Sequence, residues 1–333
     1  MLVRSTKITH PLGSDIQTPL LIPSFSSKGF GVSKRKKSEI REIFTVAWPL
    51  LTDTMLVSAY DLFHNYLDPI ENAITEITFV DSGGYEISDY HDLSAVYRYP
   101  VNHEEWPEEH LRSVYDNWPE HVPAVFVSYD HPDIHRSLNH QISAAQRFFE
   151  NYPDQLHTLL IKPETKGQLC IQKKNVVANV DKLSSFHIVG LTEKELGTSI
   201  FARMTTLAAI RVAMDDAGLQ KIPIHVFGSL DPLVSVLYFL AGAEIFDGLT
   251  WIRYGYTNGL ACYLNNYGVR RIGIKKTDDD VKAKTIEDNL KGLLDLTRQM
   301  RRFLLDRDFS VFEYNSDILR ESYSLLRKKN KRF

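Results

Sequence analysis

Eight short runs rich in Val, Ile, Leu and Phe are strung along the first 250 residues: Thr18–Phe25, Thr54–Tyr60, Glu76–Asp81, Ala124–Asp130, Leu156–Lys162, Phe186–Gly190, Ile224–Gly228 and Glu244–Thr250. They are nearly continuous in apolar residues rather than alternating, the pattern of strands buried on both faces of a parallel sheet. Helical periodicity falls between several of them. Asp133–Asn151 is one such stretch, and Glu193–Ala217, with Leu196, Ile200, Met204 and Leu207 at helical spacing, is another. A third, Leu230–Ala241, has Ser229 as an expected N-cap and Pro232 in its first turn. Alternating strands and helices predict parallel strands with right-handed crossovers. Eight of them predict closure into an α/β (β/α)₈ TIM barrel, with a doubly wound open sheet as the alternative.

About 40 residues separate the third and fourth runs, too many for one crossover. An insertion is therefore expected after strand 3, and its aromatic and acidic segment Glu104–Trp118 is expected to form a lid or a substrate wall. Beyond Thr277 the pattern is all-helical. Ile286, Leu290, Leu293, Leu296, Met300 and Phe303 form one apolar stripe, and Ile318–Leu326 a shorter one. The expected organisation is a catalytic barrel over residues 1–277 and a C-terminal helical extension over 278–333, packed on the barrel exterior.

Composition changes this picture little. The chain has 333 residues, 43% hydrophobic and 24% charged, an ordinary globular balance. A barrel with appended helices accounts for that length as one folding unit. Two isolated cysteines, Cys170 and Cys262, rule out a disulfide framework and a cysteine-based zinc site. Met1–His10 has no long apolar core, and the longest apolar run, near Leu233–Ala243, is too short to span a bilayer. The expected setting is the cytoplasm, away from membranes. The net charge is −3, so any nucleic-acid surface must be local. Lys34–Lys37, Arg270 with Arg271, Lys275 with Lys276, and Lys328–Arg332 are the basic runs, and each reads equally as a solvated face or a tail.

Active residues of such a barrel project from the C-terminal ends of its strands. Three aspartates stand there: Asp81 in Phe79–Tyr85 (FVDSGGY), Asp130 in Val127–Asp130 (VSYD) and Asp247 in Glu244–Gly248 (EIFDG). An Asp at this place also caps helices and turns. Two facing carboxylates suit chemistry at an anomeric carbon, one attacking and the other moving the proton. A third accepts hydrogen bonds from a base's N–H groups. Gly83 and Gly84 make a tight turn or let the backbone approach a flat ring closely. Trp106, Trp118, Tyr254 and Tyr256 are candidates for stacking on bases or for ordinary packing.

The segment Val80–Tyr85 (VDSGGY) resembles the base-binding motif of the tRNA-guanine transglycosylases, Asp-Ser-Gly-Gly-Phe-Gln. His225–Asp247 is similar to the segment of that family that ends on its nucleophilic aspartate, Ile188–Leu191 to its strand-six Gly-Gly-Leu, Val127–Asp130 to its strand-four segment, and Thr18–Pro23 to its opening strand. The resemblance covers roughly residues 15–265. It implies that Asp247 attacks C1′ of a nucleotide and expels guanine, and that Asp81 is the acid/base partner. It further implies that Asp130 reads the purine's N–H edge and that Ser82, Gly83, Gly84, Gly190 and Leu191 complete the base pocket. A 7-deazaguanine would then displace Asp247 with retention, the work of a pentosyltransferase that needs no cofactor. Arg253 and Tyr254, just past Asp247, lie where the family holds the nucleotide near the reaction.

Three departures bear on this. Lys162 stands near the family's strand-five glutamine, positioned for an exocyclic acceptor of the base, a phosphate or solvent. Glu86 stands where the motif has glutamine. The three cysteines and histidine of the family's zinc site have no counterpart, and His131 with His135 make a poor metal site alone, so no metal is expected. Loss of the zinc module, which supports RNA docking in the tRNA enzymes, favours the zinc-lacking branch that inserts 7-deazaguanines into DNA. The alternatives are an enzyme acting on tRNA, a non-catalytic accessory subunit of such an enzyme, and a hydrolase that removes a modified base. By the same analogy the partners are DNA, in preference to tRNA, and a homodimer mate or partner subunit.

Overall fold

The computed structural model describes residues 1–31, 38–89, 91–95 and 104–329. Lys34–Lys37 and the end of the run Lys328–Arg332 lie outside them. All eight apolar runs form strands: β1 (Leu20–Phe25), β2 (Thr54–Ser58), β3 (Ile77–Asp81), β4 (Ala124–Val127), β5 (Leu156–Ile161), β6 (Ile188–Thr192), β7 (Ile224–Phe227) and β8 (Ile245–Gly248). Each pairs in parallel with its neighbours, and β8 pairs with β1, which closes the barrel. The expected (β/α)₈ architecture is therefore present, and the open-sheet alternative is excluded.

Side-chain alternation divides each strand between two apolar regions. Leu20, Ile22, Leu56, Ile77, Phe79, Val125, Val127, Leu156, Leu160, Ile188, Phe227 and Ile245 fill the barrel interior. Their neighbours Leu21, Val57, Val80, Phe126, Leu159, Ile161, Val189, Leu191, Val226 and Phe246 face outward and pack under the helices. An antiparallel hairpin, Lys7–Thr9 with Asp15–Gln17, adds Ile8 and Ile16 to the interior cluster. Polar bonds tie it down: buried Glu244, just before β8, accepts from the hydroxyls of Thr6 at 2.6 Å and Thr18 at 3.0 Å.

Several element ends differ from the sequence pattern. The helix after β7 spans Pro232–Leu240 and is capped by Asp231, not Ser229; the Asp231 carboxylate accepts from the backbone of Leu233 and Val234. Pro232 forces the preceding residue into extended backbone, which makes Asp231 the N-cap. The stretch Glu193–Ala217 divides into a short 3₁₀ turn at Glu193–Glu195 and a helix over Ile200–Asp216 capped by Ser199. Past β8 the chain adds a hairpin, Gly255–Thr257 with Leu260–Cys262, that apolar periodicity does not reveal. A helix over Asp278–Asp306 begins at a Thr277 capping box and buries Ile286, Leu290, Leu293, Met300 and Phe303 in the outer apolar layer. No helix among the described residues is long and apolar enough to cross a membrane.

Arg211, wholly buried, ties the helix over Ile200–Asp216 to the segments before β7 and β8. Its guanidinium donates to the carbonyls of Ile222 and Leu219, both at 2.9 Å, and to Asp215 at 3.0 Å, with Glu244 3.8 Å away. Arg211→Met strands two carbonyls and leaves Glu244 without its cation, so it is expected to cost about 3–5 kcal/mol. The urea midpoint should fall accordingly, with an unchanged denaturant slope.

Candidate active site

Where the interior apolar layers end, the next inward-facing residue on most strands becomes polar. Ser24, Ser58, Asp81, Leu160, Thr192, Phe227 and Asp247 line a cleft of about 840 Å³ at the C-terminal mouth, within the usual size range for a ligand site. Residues just beyond the strand ends, Asp130 and Lys162, complete the floor, and Trp106 with Glu104 and Glu105 forms one wall. The expected wall after strand 3 is thus partly described, its helix running over Glu108–Asp116; residues 96–103 lie outside the described segments.

Asp247 is buried, and both its oxygens are held. The Ser24 hydroxyl donates to Oδ2 at 2.7 Å, and His225 Nε2 lies 3.0 Å from Oδ1. His225 is fully buried, stacked on Phe227 at 3.8 Å and edge-on to Phe79. Its Nδ1 has no hydrogen-bond partner among the described residues. Sequence reading gave neither Ser24 nor His225 a role. The available signal was a histidine and a serine at inward-facing positions of otherwise apolar strands.

Asp81 occupies a different environment. It is open to the cleft on one side, while its Oδ1 is buried without a partner among the described residues. Burial, reinforced by the nearby carboxylates of Glu86, Asp130 and Asp247, holds its carboxyl well above the usual range. Two further buried acids crowd the same side. Asp61 accepts from the Ser27 backbone and hydroxyl. Glu86 accepts from the Ser26 hydroxyl, and its Oε2 is buried with no close partner among the described residues. Burial raises both, Asp61 strongly. Burial also lowers Lys28, to about 8, against the pull of Glu86.

Asp130 accepts a short hydrogen bond from the Ser82 hydroxyl at Oδ1. Its Oδ2 is 3.8 Å from the Lys162 ammonium, which also lies 2.8 Å from Glu195 and donates to the Thr192 hydroxyl at 3.2 Å. Burial opposes the charge on Lys162, but Glu195 and Asp130 outweigh it and raise the lysine above its ordinary value. Lys162 is therefore fixed in the floor of the cleft, not solvated surface.

The remaining sequence candidates divide. Gly84 lines the cleft, but it and Gly83 admit the chain's own groups. A Cβ on Gly84 would lie 2.5 Å from Asp130 Oδ1 and 2.7 Å from the Asp130 carbonyl oxygen. At Gly83, with φ of +86°, it would lie 2.7 Å from the Trp106 ring, whose Nε1 donates to the Ser82 carbonyl at 2.8 Å. The flat ring over this turn is an indole of the protein itself. Ser82 is buried, and its hydroxyl is bonded to Asp130. Gly190 faces the interior, yet the Phe227 ring fills its space, 2.7 Å from where a Cβ would sit. Leu191 faces outward, wholly buried in the outer layer. Neither residue lines the cleft.

Arg253 and Tyr254, the expected nucleic-acid contacts, are both bonded within the protein. The Arg253 guanidinium is buried against Asp92 at 2.8 Å and also donates to the Ser94 hydroxyl and the Lys28 carbonyl. The Tyr254 hydroxyl donates to the Ser94 carbonyl at 3.1 Å. Together they strap the insertion after β3 to the segment after β8, and the charge of Arg253 is already met. Trp118 and Tyr256 are likewise packed, with their polar atoms bonded to the carbonyls of Val122 and Leu230. Among the described residues no group of three or more His, Cys, Asp or Glu side chains is arranged to hold a metal ion. No protein-family model and no curated protein matches the chain.

The electrostatics of Asp81 carry a stability consequence. A carboxyl whose folded value is raised contributes stability that is complete below its unfolded value, near 4, and is lost as pH climbs through the folded value. Asp81→Asn removes that loss. Its melting temperature should match the parent's near pH 4 and exceed it by about 2–4 °C at pH 8, as scanning calorimetry would read.

Proposed function

We propose that the cleft exchanges purine bases in a nucleic acid, with Asp247 as nucleophile and Asp81 as the proton carrier. The observation that carries this reading is the contrast between two carboxyl groups lining one cleft. Asp247 is oriented at both oxygens by Ser24 and His225, as an attacking group must be. Asp81 is held above the usual carboxylate range, as a general acid must be.

In the first half-reaction an Asp247 oxygen bonds to C1′ of the target nucleotide as the C1′–N9 bond to guanine breaks, and the departing base takes the Asp81 proton. In the second, the incoming 7-deazaguanine gives its N9 proton to Asp81 and bonds to C1′. As that bond forms the C1′–O bond breaks, and its electron pair returns to Asp247. Two inversions leave the configuration retained, and the protons balance. Asp130 and Lys162, across the floor from Asp247, supply an acceptor and a donor for the purine edge. A base in a duplex must be turned out to reach this depth. DNA is favoured over tRNA because a chain with two cysteines lacks the zinc module that the resemblance associates with tRNA docking.

Labelled guanine incubated with the protein and with DNA or tRNA tests the reading. Label should enter DNA, and a denaturant-stable protein–DNA adduct should be trapped. Asp247→Asn should lower uptake more than about a thousandfold and yield no adduct. Undiminished uptake by that variant would refute the nucleophile. Uptake into tRNA alone would change the polymer, and base release without uptake would make the protein a hydrolase.

A further inference from the structure

We infer that His225 is the positioning residue of the Asp247 carboxylate, and that its Nε2–H bond matters most when the glycosyl ester collapses. The inference rests on the base-exchange reading for its kinetic part and on geometry alone for its hydrogen bond. Nε2 lies 3.0 Å from Oδ1, while Nδ1 is buried with no partner among the described residues. In a neutral ring the proton therefore belongs on Nε2. Placed on Nδ1 it would be a buried donor without an acceptor, and it would leave two lone pairs facing each other at Nε2 and Oδ1. The ring itself cannot turn away. It is wholly buried, clamped face-on by Phe227 at 3.8 Å and edge-on by Phe79 at 5.5 Å.

His225 does not line the cleft, whereas Ser24 and Asp247 do. The histidine thus grips the carboxylate from below and leaves its upper side to the sugar. When an Asp247 oxygen is esterified to C1′, the carboxylate charge is lost. When the incoming base bonds to C1′ and the C1′–O bond breaks, the electron pair returns to Asp247 and the charge reappears. A fixed donor on Oδ1 stabilises that returning charge more than it stabilises the neutral ester, so it lowers the barrier to release. No proton leaves the imidazole in either step.

The experiment compares the parent with His225→Phe, which removes the donor, and His225→Gln, which can restore one. Folding is verified by melting curves. His225→Phe should reduce kcat by about 10²–10³-fold, the usual loss for one fixed donor at a charged centre. KM for the free base should stay within about twofold, and trapped adduct should accumulate. His225→Gln should recover at least about tenfold of the lost rate. Equal rates in folded His225→Phe and parent, or a folded glutamine variant no better than phenylalanine, would overturn the role. Imidazole ¹H–¹⁵N spectra of the parent provide the arm that needs no turnover. A slowly exchanging, downfield Nε2 proton that shifts in Asp247→Asn is expected, and its absence overturns the inference. A parent that shows this proton but exchanges no base sinks the functional reading and leaves the hydrogen bond standing.

Discussion

The site depends on one closure, the pairing of the last strand of the barrel with the first. β8 lies beside β1 with Asp247 opposite Ile22, and this sets Ser24 and Asp247, 223 residues apart in sequence, within hydrogen-bonding distance. The other neighbour of β8 is β7, which brings His225 to the opposite oxygen. A carboxylate gripped from both flanking strands exists only in a closed sheet. In an open one, a terminal strand would have a single neighbour and Asp247 could be held from one side alone. Barrel closure is therefore the source of the site's geometry as well as of the fold's stability.

Much of this was readable from residue pattern, for a physical reason. Strands buried on both faces must be apolar throughout, so all eight stood out, and the acids at their ends marked the mouth. Period-two alternation then decides which acids point inward. Asp247 follows inward-facing Ile245, and Asp81 follows Phe79. What the pattern could not supply was pairing between distant segments. The partners of Asp247 come from β1 and β7, and the loop glycines turned out to accommodate Trp106 and Asp130. Arg253 looked available because its counter-ion, Asp92, belongs to an insertion whose path has no periodic signature. At the helix after β7, Pro232 dictates an extended residue at Asp231, which overrides Ser229 as the N-cap.

The mouth is chemically lopsided. Asp61, Asp81 and Glu86 collect on the side of β2 and β3, where burial and mutual repulsion favour their neutral forms. Lys162, Lys194 and Arg203 line the cleft on the side of β5 and β6. Burial thus favours neutral carboxyl groups on one side of the cavity, while on the other Glu195 and Asp130 hold the charge on Lys162.

The strap between the insertion and the segment after β8 is ionic. Asp92 is a cleft-lining acid that accepts from the Tyr85 hydroxyl at 2.9 Å. Arg253 cancels that charge at 2.8 Å, and its bond to the Lys28 carbonyl draws the loop after β1 into the same knot. Lys28 in turn donates to the carbonyls of Tyr85 and Ser88, fixing the short helix that carries Glu86. The loops after β1, β3 and β8 are thereby locked around the two carboxylates. Arg253 thereby holds together the walls around Asp81 and Asp247.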